Sequence, residues 1–278
     1  MIANKLEDIM EKIIKDAIQC LNVINNAYVN NPYIGKLYKN TNEDLTTILA
    51  NYDLKNKNIL SVLASSDQLF SCYYLGAKNV DTFDSNRLNY YFFFLKKWAI
   101  LNGKTSIPSS NQGILELIEQ HDNTPEEINA YYFWKYVLLN IDTSLANSSL
   151  FYHEVNYHLP YFNNTHNLAK MIQHKYPNYN QFNLFQPIQY IPKKYQIIIL
   201  SNILEYLYDN IENNQYQEVA AKNIYHLLED GGIAISSNII DYHYQGNHIF
   251  ESYFEYREGP LSTDDIEQFP ICYCYKKK

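Results

Sequence analysis

The 278-residue sequence predicts an α/β protein whose core is a doubly wound, mostly parallel β-sheet. The prediction depends on two stretches in which strands and helices alternate. In the first, a buried strand at Ile59–Leu63, a polar turn, a helix and a strand at Asn79–Phe83 follow one another within about 30 residues, as in parallel strands joined by a crossover helix. In the second, the apolar run Tyr195–Leu200 is followed by a helix at Gln217–Leu228 and a strand at Ile233–Ile240.

Helical segments are predicted before and within this sheet. Apolar residues recur at helical spacing over Ile2–Asn26, and Thr41–Asp44 contains the polar and acidic residues that begin a helix. We therefore expect an N-terminal helical cap over 1–50 and an α/β domain over 51–278. Within that domain, about 103–178 lacks a strand pattern and contains a helix at Glu126–Ile141, which indicates a helical insertion that could cover the upper edge of the sheet.

The other elements follow from local signals. The helix predicted at Arg87–Leu101 is apolar on almost every face, which is typical of a helix buried between a sheet and a further layer. Gly76 is expected to end the first crossover helix in the left-handed conformation, and Gly231–Gly232 are expected to end the later helix. The runs Phe254–Tyr256 and Ile271–Tyr275 are predicted as antiparallel edge strands.

Composition and charge exclude several classes of protein. Hydrophobic residues make up 46% of the chain, so a disordered chain is excluded. The net charge of −8 gives no broad basic surface, and a nucleic-acid partner is not expected. Apolar runs fall far short of the ~18 residues that a membrane span needs. The N-terminus lacks the apolar centre of a signal peptide, so a cytoplasmic location is predicted.

The spacing of cysteines and histidines predicts no metal site. The four cysteines contain no CxxC pair and are expected to be buried free thiols. The best candidates for metal ligands are His153, Glu154 and His158. The two histidines are five residues apart, whereas a pair that binds one metal from a single helix face is four apart.

The residues that follow the predicted strands are mostly small or polar. In open α/β sheets, ligands bind beyond the carboxyl ends of the strands, near the point where the strand order reverses. We therefore expect a binding site made of Ala64, Ser65, Ser66, Asp67 and Gln68 after the first strand, Asp84, Ser85 and Asn86 after the second, Asn183 and Leu184 after a third, and Ser201 and Asn202 after a fourth.

The residue types at these strand ends select the class of ligand. Asp84 lies about 20 residues after the first turn, where a carboxylate can accept hydrogen bonds from both hydroxyls of a ribose. The first turn contains no glycine and carries Asp67, so it differs from the glycine-rich loop that approaches a pyrophosphate. This disfavours NAD, FAD and nucleoside triphosphates. It favours a nucleoside with an ammonium or sulfonium charge and no phosphate, and S-adenosylmethionine meets those demands.

Four stretches, ILSVLASSDQ, VDTFDSN, YQIIILSNILEYL and LLEDGGIAI, resemble class I S-adenosylmethionine-dependent methyltransferases, which have a Rossmann-like fold. More narrowly, SSDQ, FDSN, FLKKWAI and the Thr41–Glu43 stretch TNE resemble the S-adenosylmethionine:diacylglycerol aminocarboxypropyltransferase family of betaine-lipid synthesis and its bacterial relatives. The resemblance implies S-adenosylmethionine as cofactor and transfer of a methyl or 3-amino-3-carboxypropyl group to a small-molecule or lipid acceptor. The chain departs from that family in the missing loop glycine, in Arg87 where proline is usual, and in Gln196 where aspartate is common.

Each candidate cofactor residue has a role and a structural alternative. Asp84 is expected to bind the ribose and Asp67 to contact the methionine ammonium. Asn183 is expected to meet the adenine edge, and Glu43 and Ser201 to face the cofactor pocket. All five could instead cap helices or shape turns, because Asp, Asn, Ser and Glu are common at those positions as well.

The acceptor pocket is expected to be lined by Glu205, Tyr206, Asp241 and His243, the candidate catalytic residues. A histidine can act as a general base near neutral pH, although a surface histidine is the alternative for His243. Two other functions stay open. One is a non-catalytic binding or scaffold protein with a degenerate S-adenosylmethionine pocket, which the glycine-free loop motivates. The other is a nicotinamide-dependent oxidoreductase, against which the missing phosphate loop counts.

Overall fold

The computed structural model describes residues 10–22, 37–122, 124–141, 151–152, 158–189, 191–204, 214–237, 248–258 and 272–278. These residues form a seven-stranded β-sheet with helices on both faces, together with a separate two-stranded pairing. The strands are β1 (Leu37–Tyr38), β2 (Asn58–Val62), β3 (Asn79–Asp84), β4 (Phe151–Tyr152), β5 (Tyr179–Gln181), β6 (Tyr195–Ser201), β7 (Leu228–Ser237), β8 (Phe254–Glu258) and β9 (Cys272–Lys277).

The large sheet has the strand order β5-β3-β2-β6-β7-β9-β8. The neighbours from β5 to β7 are all parallel, and β9 runs antiparallel to both β7 and β8. The order reverses between β2 and β6, which is the topological switch point of a doubly wound sheet. This arrangement is a doubly wound, mostly parallel, Rossmann-like sheet and confirms the predicted α/β fold class. The short strands β1 and β4 pair with each other in parallel.

Nine helices accompany these strands in the described part of the chain. They are α1 (described over 10–22), α2 (Leu45–Leu49), α3 (Asp67–Tyr74), α4 (Arg87–Leu101), α5 (Asn111–Ile118), α6 (Pro125–Asn140), α7 (Thr165–Ile172), α8 (Asn214–Leu227) and α9 (His248–Tyr253). A 3₁₀ turn at Phe162–Asn164 precedes α7.

The sheet separates two apolar cores. Ile59 of β2 packs in the core that contains α1 to α7, whereas the next residue, Leu60, packs in the core that contains α8 and α9. Ile197 and Ile198 of β6 divide in the same way, because successive side chains of a strand point to opposite faces. Burial on both faces therefore explains why these two strands are mostly apolar.

Helix α4 has the bounds that the sequence predicts, Arg87–Leu101, and is buried along most of its length. It packs against β3 on one side and against α5, α6 and α7 on the other. These three helices lie between α4 and β5, in the stretch where the sequence predicts a helical insertion. They form an outer layer over α4 and α3, which is why α4 is apolar on almost every face.

Three glycine and strand predictions have different outcomes. Gly76 follows α3 with φ at 89°, and the predicted left-handed end of that helix is confirmed. Gly231 and Gly232 do not end α8, because the helix stops at Leu227 and both glycines lie inside β7. There the pairing with β6 shifts register between Leu228 and Ile233, and Gly231 takes the left-handed φ of 72° within this irregular stretch. The predicted edge position of the last strand is wrong as well, because β9 pairs on both sides and β8 forms the edge.

All four cysteines are free and buried, as the sequence predicts. Cys272 and Cys274 of β9 lie within the sheet, and burial raises the pKa of the Cys272 thiol to about 11. A thiol with a raised pKa is protonated near neutral pH and is a poor nucleophile.

Candidate functional site

A cavity of about 520 Å³ opens at the carboxyl ends of β2, β3 and β6, beside the segment that follows β5. Its position is the switch point between β2 and β6, where ligands of doubly wound sheets bind. Most of the predicted site residues line it: Ala64, Ser65, Gln68, Asp84, Ser85, Asn183, Leu184, Ser201 and Asn202. The wall also contains residues that sequence reasoning missed: Tyr38, Thr41, Asn42, Val62, Phe83, Asn89, Phe182, Phe185 and Ile203.

The loop after β2 takes the left-handed conformation that glycine favours, although it contains no glycine. Ala64 has φ at 37° and Ser66 has φ at 66°. A left-handed residue other than glycine costs roughly 1–2 kcal/mol, so the surrounding structure must hold this loop in place. One such contact is the backbone N–H of Ala64, which donates to Oδ2 of Asp84 at 3.0 Å and joins the ends of β2 and β3.

Asp84 ends β3 with its carboxylate at the cavity wall. It accepts hydrogen bonds from the Ala64 N–H at 3.0 Å, the Asn86 N–H at 2.8 Å and Nδ2 of Asn89 at 2.8 Å. Burial raises the pKa of this carboxyl group, and the hydrogen bonds oppose the shift. The cap of α4 is the Asn86 side chain, which accepts from the Leu88 N–H, so capping is not the role of Asp84. Asn86 itself does not line the cavity.

Asp67 faces the interior of the protein, and this corrects the expectation that it contacts a ligand. Its carboxylate is fully buried and accepts from the Thr41 N–H at 2.7 Å, Ser65 Oγ at 2.9 Å and the Tyr161 hydroxyl. It also forms an ion pair with Nζ of Lys96 at 2.6 Å. These partners surround Asp67 behind the loop, so a ligand ammonium in the cavity does not reach it. Ser66 is buried beside it and does not line the cavity either.

A second buried cluster connects the segment before α2 with the cavity wall. Glu43 lies one layer behind the wall, where its carboxylate accepts from Ser201 Oγ at 2.5 Å and from Gln68 Nε2 at 2.8 Å. Burial raises the pKa of Glu43, and hydrogen bonds from Ser201, Gln68, Ser237 and Thr41 oppose the shift. Gln68 lines the cavity, and its Oε1 is buried with no hydrogen-bond partner.

The segment after β5 supplies the aromatic part of the wall. The rings of Phe83 and Phe182 stack with centroids 4.8 Å apart and planes 1° apart. Oδ1 of Asn183 accepts from the Phe185 N–H at 2.9 Å and shapes the turn that brings Leu184 to the wall. The sequence offered one indication of this aromatic wall, because Phe182 directly follows the strand β5.

The charge of the described wall comes from Asp84, because the second predicted carboxylate, Asp67, faces the interior. Asp84 is the one carboxylate among the described residues that line the cavity, and no lysine, arginine or histidine is among them. A neutral or cationic ligand therefore suits the described wall better than a phosphate does, because no basic side chain there can neutralise one.

The remaining candidate residues lie either outside the described part of the chain or away from this cavity. Glu205, Tyr206, Asp241 and His243 lie outside the described residues, as do His153 and Glu154. The His158 side chain is 70% exposed and lies 3.9 Å from the Asp44 carboxylate. Within the part of the chain that the structure describes, no three His, Cys, Asp or Glu side chains lie together as metal ligands. Among the same residues, no helix is long and apolar enough to cross a membrane.

The described part of the insertion contacts the site from behind and not at the cavity wall. None of the described residues between α4 and β5 lines the wall. The insertion reaches the site from behind instead, through the Tyr161 hydroxyl on Asp67 and through the backbone oxygen of His158, which accepts from the Thr46 N–H at 2.9 Å.

Comparison with known proteins gives similarity at the level of structure. No protein-family model matches the chain, and neither does any curated protein. The N-methyltransferase NodS from Bradyrhizobium japonicum, in complex with S-adenosylhomocysteine, is 10% identical with a TM-score of 0.39, over 84% of this chain and 83% of that one. The magnesium protoporphyrin IX methyltransferase from Synechocystis, with bound S-adenosylmethionine, is 11% identical with a TM-score of 0.40, over 83% and 74%. A TehB-like S-adenosylmethionine-dependent methyltransferase from Corynebacterium glutamicum is 10% identical with a TM-score of 0.38, over 91% and 94%. At these values the similarity is confined to the overall course of the chain.

Proposed function

We propose that this protein is an S-adenosylmethionine-dependent transferase that acts on a small-molecule or lipid acceptor. The observation that carries the proposal is the Asp84 carboxylate at the end of β3, next to a left-handed loop and in a described wall without basic side chains. A carboxylate accepts hydrogen bonds and repels phosphate, so Asp84 suits the diol of an unphosphorylated ribose. The same features disfavour nicotinamide dinucleotides, whose pyrophosphate needs a glycine-rich loop.

The loop after β2 supports cofactor binding despite its composition. The sequence alone leaves a degenerate pocket open, because the usual glycine is missing. Ala64 and Ser66 nevertheless adopt the positive φ that glycine provides, so the backbone shape of the turn is retained. Ala64 and Ser65 therefore present their backbone and small side chains to the cavity, where a nucleoside needs close approach.

Gln68 offers the place for the amino-acid part of the cofactor. Its buried Oε1 has no partner in the protein, and an unsatisfied buried acceptor costs roughly 1–3 kcal/mol. Gln68 would recover a hydrogen bond by accepting from the ammonium of a methionine moiety. This role replaces the one that the sequence predicted for Asp67, which is the preceding residue but faces the interior.

The aromatic wall is suited to the base. We propose that Phe182 packs against the adenine, and that Asn183 and Leu184 lie along its edge, as the sequence predicted for that segment. An aromatic ring binds any base face by stacking, worth roughly 1–3 kcal/mol per base. The stack of Phe83 on Phe182 holds that ring in position before a ligand binds.

When bound, S-adenosylmethionine supplies a sulfonium centre whose attached carbons are activated toward a nucleophile. The protein's part is to orient and desolvate the reacting groups. Ser201, Asn202 and Ile203 lie at the wall at the end of β6, shortly before the candidates Glu205 and Tyr206 in sequence. Glu205, Tyr206, Asp241 and His243 follow β6 and β7 in sequence and stay candidates for acceptor binding. A general base among them is needed only for an acceptor that loses a proton.

Methyl transfer is the first candidate reaction, and aminocarboxypropyl transfer is the second. The observation that favours keeping the second is the position of the stretch Thr41–Glu43, which carries part of the narrower sequence resemblance. Thr41 and Asn42 line the cavity, and Glu43 bonds to two wall residues. The two reactions use the same sulfonium and differ in the carbon that the acceptor attacks.

Two measurements test the proposal. Titration calorimetry with S-adenosylmethionine and S-adenosylhomocysteine should give saturable binding, whereas NADH as the control ligand should not bind. Incubation of the enzyme with S-adenosylmethionine and fractionated small-molecule or lipid extracts should then release a product. S-adenosylhomocysteine identifies methyl transfer, and methylthioadenosine identifies aminocarboxypropyl transfer. Absence of binding at millimolar ligand would contradict the proposal, and binding without either product would favour the non-catalytic alternative.

A further inference from the structure

A buried ion pair holds the glycine-free loop from behind. Nζ of Lys96 lies 2.6 Å from Oδ1 of Asp67, and both side chains are fully buried. We infer that Lys96 of α4 is a positioning residue that keeps the loop 64–66 in its left-handed, ligand-binding conformation and so replaces the glycines that such a loop normally contains. The effect on ligand affinity rests on the proposed function, whereas the effect on the loop itself does not.

The side chains of the loop hold this conformation only through a residue outside it. Ala64 has no polar group, Oγ of Ser66 is buried without a hydrogen-bond partner, and Oγ of Ser65 donates to Asp67. A backbone conformation that is disfavoured for these residues persists only when contacts around it over-determine it. The restraint must therefore come from residues outside the loop. These are Asp84, which accepts from the Ala64 N–H, and Asp67, which directly follows the loop in sequence.

Asp67 restrains the chain both before and after Ser66. One carboxylate oxygen accepts from Ser65 Oγ, before Ser66, and from the backbone N–H of Thr41. The other oxygen receives the Tyr161 hydroxyl and the Lys96 ammonium. Asp67 itself is the first residue of α3, so its position fixes where the loop enters that helix.

Lys96 makes this anchor rigid, because its ammonium group has two further acceptors. It donates to the backbone oxygen of Lys39 at 2.5 Å and to Oδ1 of Asn40 at 2.8 Å. The ammonium thus ties α4, the loop anchor Asp67 and the segment that leads to Thr41 at the cavity wall. Removal of the lysine would leave the buried Asp67 carboxylate without its counter-charge, which is strongly unfavourable.

The next residue of α4 provides a matched control. Lys97 is also fully buried and pairs with a carboxylate, Oε1 of Glu127, at 2.8 Å. Its ammonium lies 3.8 Å from the ring centroid of Tyr176, and Glu127 belongs to α6. Lys97 therefore stabilises the packing of α4 on the insertion and does not touch the loop.

The test compares Lys96→Met with Lys97→Met, each alone and combined with Ser66→Gly. Glycine adopts a left-handed φ without the steric cost, so it should restore a loop that has lost its anchor. We expect Lys96→Met to weaken binding of S-adenosylhomocysteine about tenfold or more, and Ser66→Gly to restore it to within about threefold of wild type. Lys97→Met should leave the affinity within about threefold, and Ser66→Gly should not alter it further.

Hydrogen exchange of the backbone amides over 64–68, measured without ligand, is the second readout. Amide exchange should be faster in Lys96→Met than in Lys97→Met. In the variant that combines Lys96→Met with Ser66→Gly, exchange should be slower than in Lys96→Met alone. If Lys96→Met does not fold, the combination Asp67→Asn with Lys96→Met removes both charges, and Ser66→Gly is added to that variant instead.

Equal effects of the two lysine variants on the loop, or no rescue by Ser66→Gly, would overturn the inference. Failure of the wild-type protein to bind S-adenosylhomocysteine would contradict the proposed function instead. In that case the exchange of the loop amides still decides whether Lys96 holds the loop.

Discussion

The hydroxyl oxygen of Ser201 lies 2.5 Å from Oε1 of Glu43 and joins the end of β6 to the segment before α2. Ser201 is itself left-handed, with φ at 55°, and its side chain is at the cavity wall. Gln68 contacts the same carboxyl group from the first turn of α3. Three distant parts of the sequence thus meet at the buried carboxyl group of Glu43, directly behind the cavity.

The first prediction concerns the pH dependence of stability. Burial raises the pKa of Glu43 in the folded protein, so the native state keeps a proton that the unfolded chain releases. The resulting stabilisation is complete below the pKa of the unfolded chain and is lost as the pH rises through the folded-state pKa. Glu43→Gln cannot lose a proton, so its free energy of unfolding relative to wild type should rise as the pH increases above the ordinary glutamate value of 4.5, by about 1.4 kcal/mol for each unit by which the pKa is raised. Its Tm relative to wild type should rise over the same range.

Differential scanning calorimetry at several pH values checks this prediction. Glu116→Gln, the same change at an exposed position of α5, is the control and should leave the pH profile of the Tm unchanged. Parallel profiles for wild type and Glu43→Gln would show that the Glu43 carboxyl group does not titrate differently in the two states.

The second prediction concerns Asp84→Asn. The amide can still accept from the Ala64 N–H, but it has one acceptor oxygen and no charge, so its hydrogen bonds to a diol are weaker. Affinity for S-adenosylmethionine and methylthioadenosine should fall by about 10- to 100-fold in titration calorimetry, because both ligands contain the ribose. The control is Asp81→Asn, in the same strand, where the carboxylate binds Lys193 Nζ and the Tyr195 hydroxyl instead of lining the cavity. Equal losses in both variants would contradict a role in ribose binding.

The third prediction separates the two ends of the ligand. Gln68→Met keeps the length of the side chain and removes the buried Oε1 that has no partner in the protein. Affinity for S-adenosylhomocysteine should fall about tenfold, the equivalent of one hydrogen bond to an ammonium group. Methylthioadenosine lacks the amino-acid part and should bind with unchanged affinity. A similar loss for both ligands would place Gln68 at the nucleoside end.

The fourth prediction concerns the aromatic wall. Phe182→Leu removes the ring that stacks on Phe83 and that we assign to the adenine. Adenosine and S-adenosylhomocysteine should each bind about five- to tenfold more weakly, because base stacking contributes roughly 1–3 kcal/mol. Phe162→Leu, in the 3₁₀ turn of the insertion and away from the cavity, serves as the control and should leave both affinities unchanged. If Phe182→Leu leaves both affinities unaltered, the adenine does not pack against Phe182.

Several features of the fold could be predicted because they depend on local patterns. The apolar stretches of β2 and β6, the bounds of α4 and the left-handed Gly76 each follow from residues within one element. The register shift at Gly231 and the internal position of β9 depend on which strand pairs with which, and that pairing has no local signal. For this reason the sequence predicted Gly231 and Gly232 as the end of a helix, although both glycines belong to strand β7.

By itself, the sequence determined the alternation of strands and helices, and with it the strand ends that carry Ala64, Asp84 and Ser201. Only the tertiary structure decided which polar side chains face the cavity. Asp67 and Gln68 are adjacent in sequence, yet Asp67 faces the interior, where it pairs with Lys96, and Gln68 lines the cavity wall. The physical reason is that burial of a charged group is costly unless an opposite charge pairs with it. For Asp67 that opposite charge is Lys96, which lies in the otherwise mostly apolar helix α4. Local periodicity places a residue on an element, and long-range pairing determines what it binds.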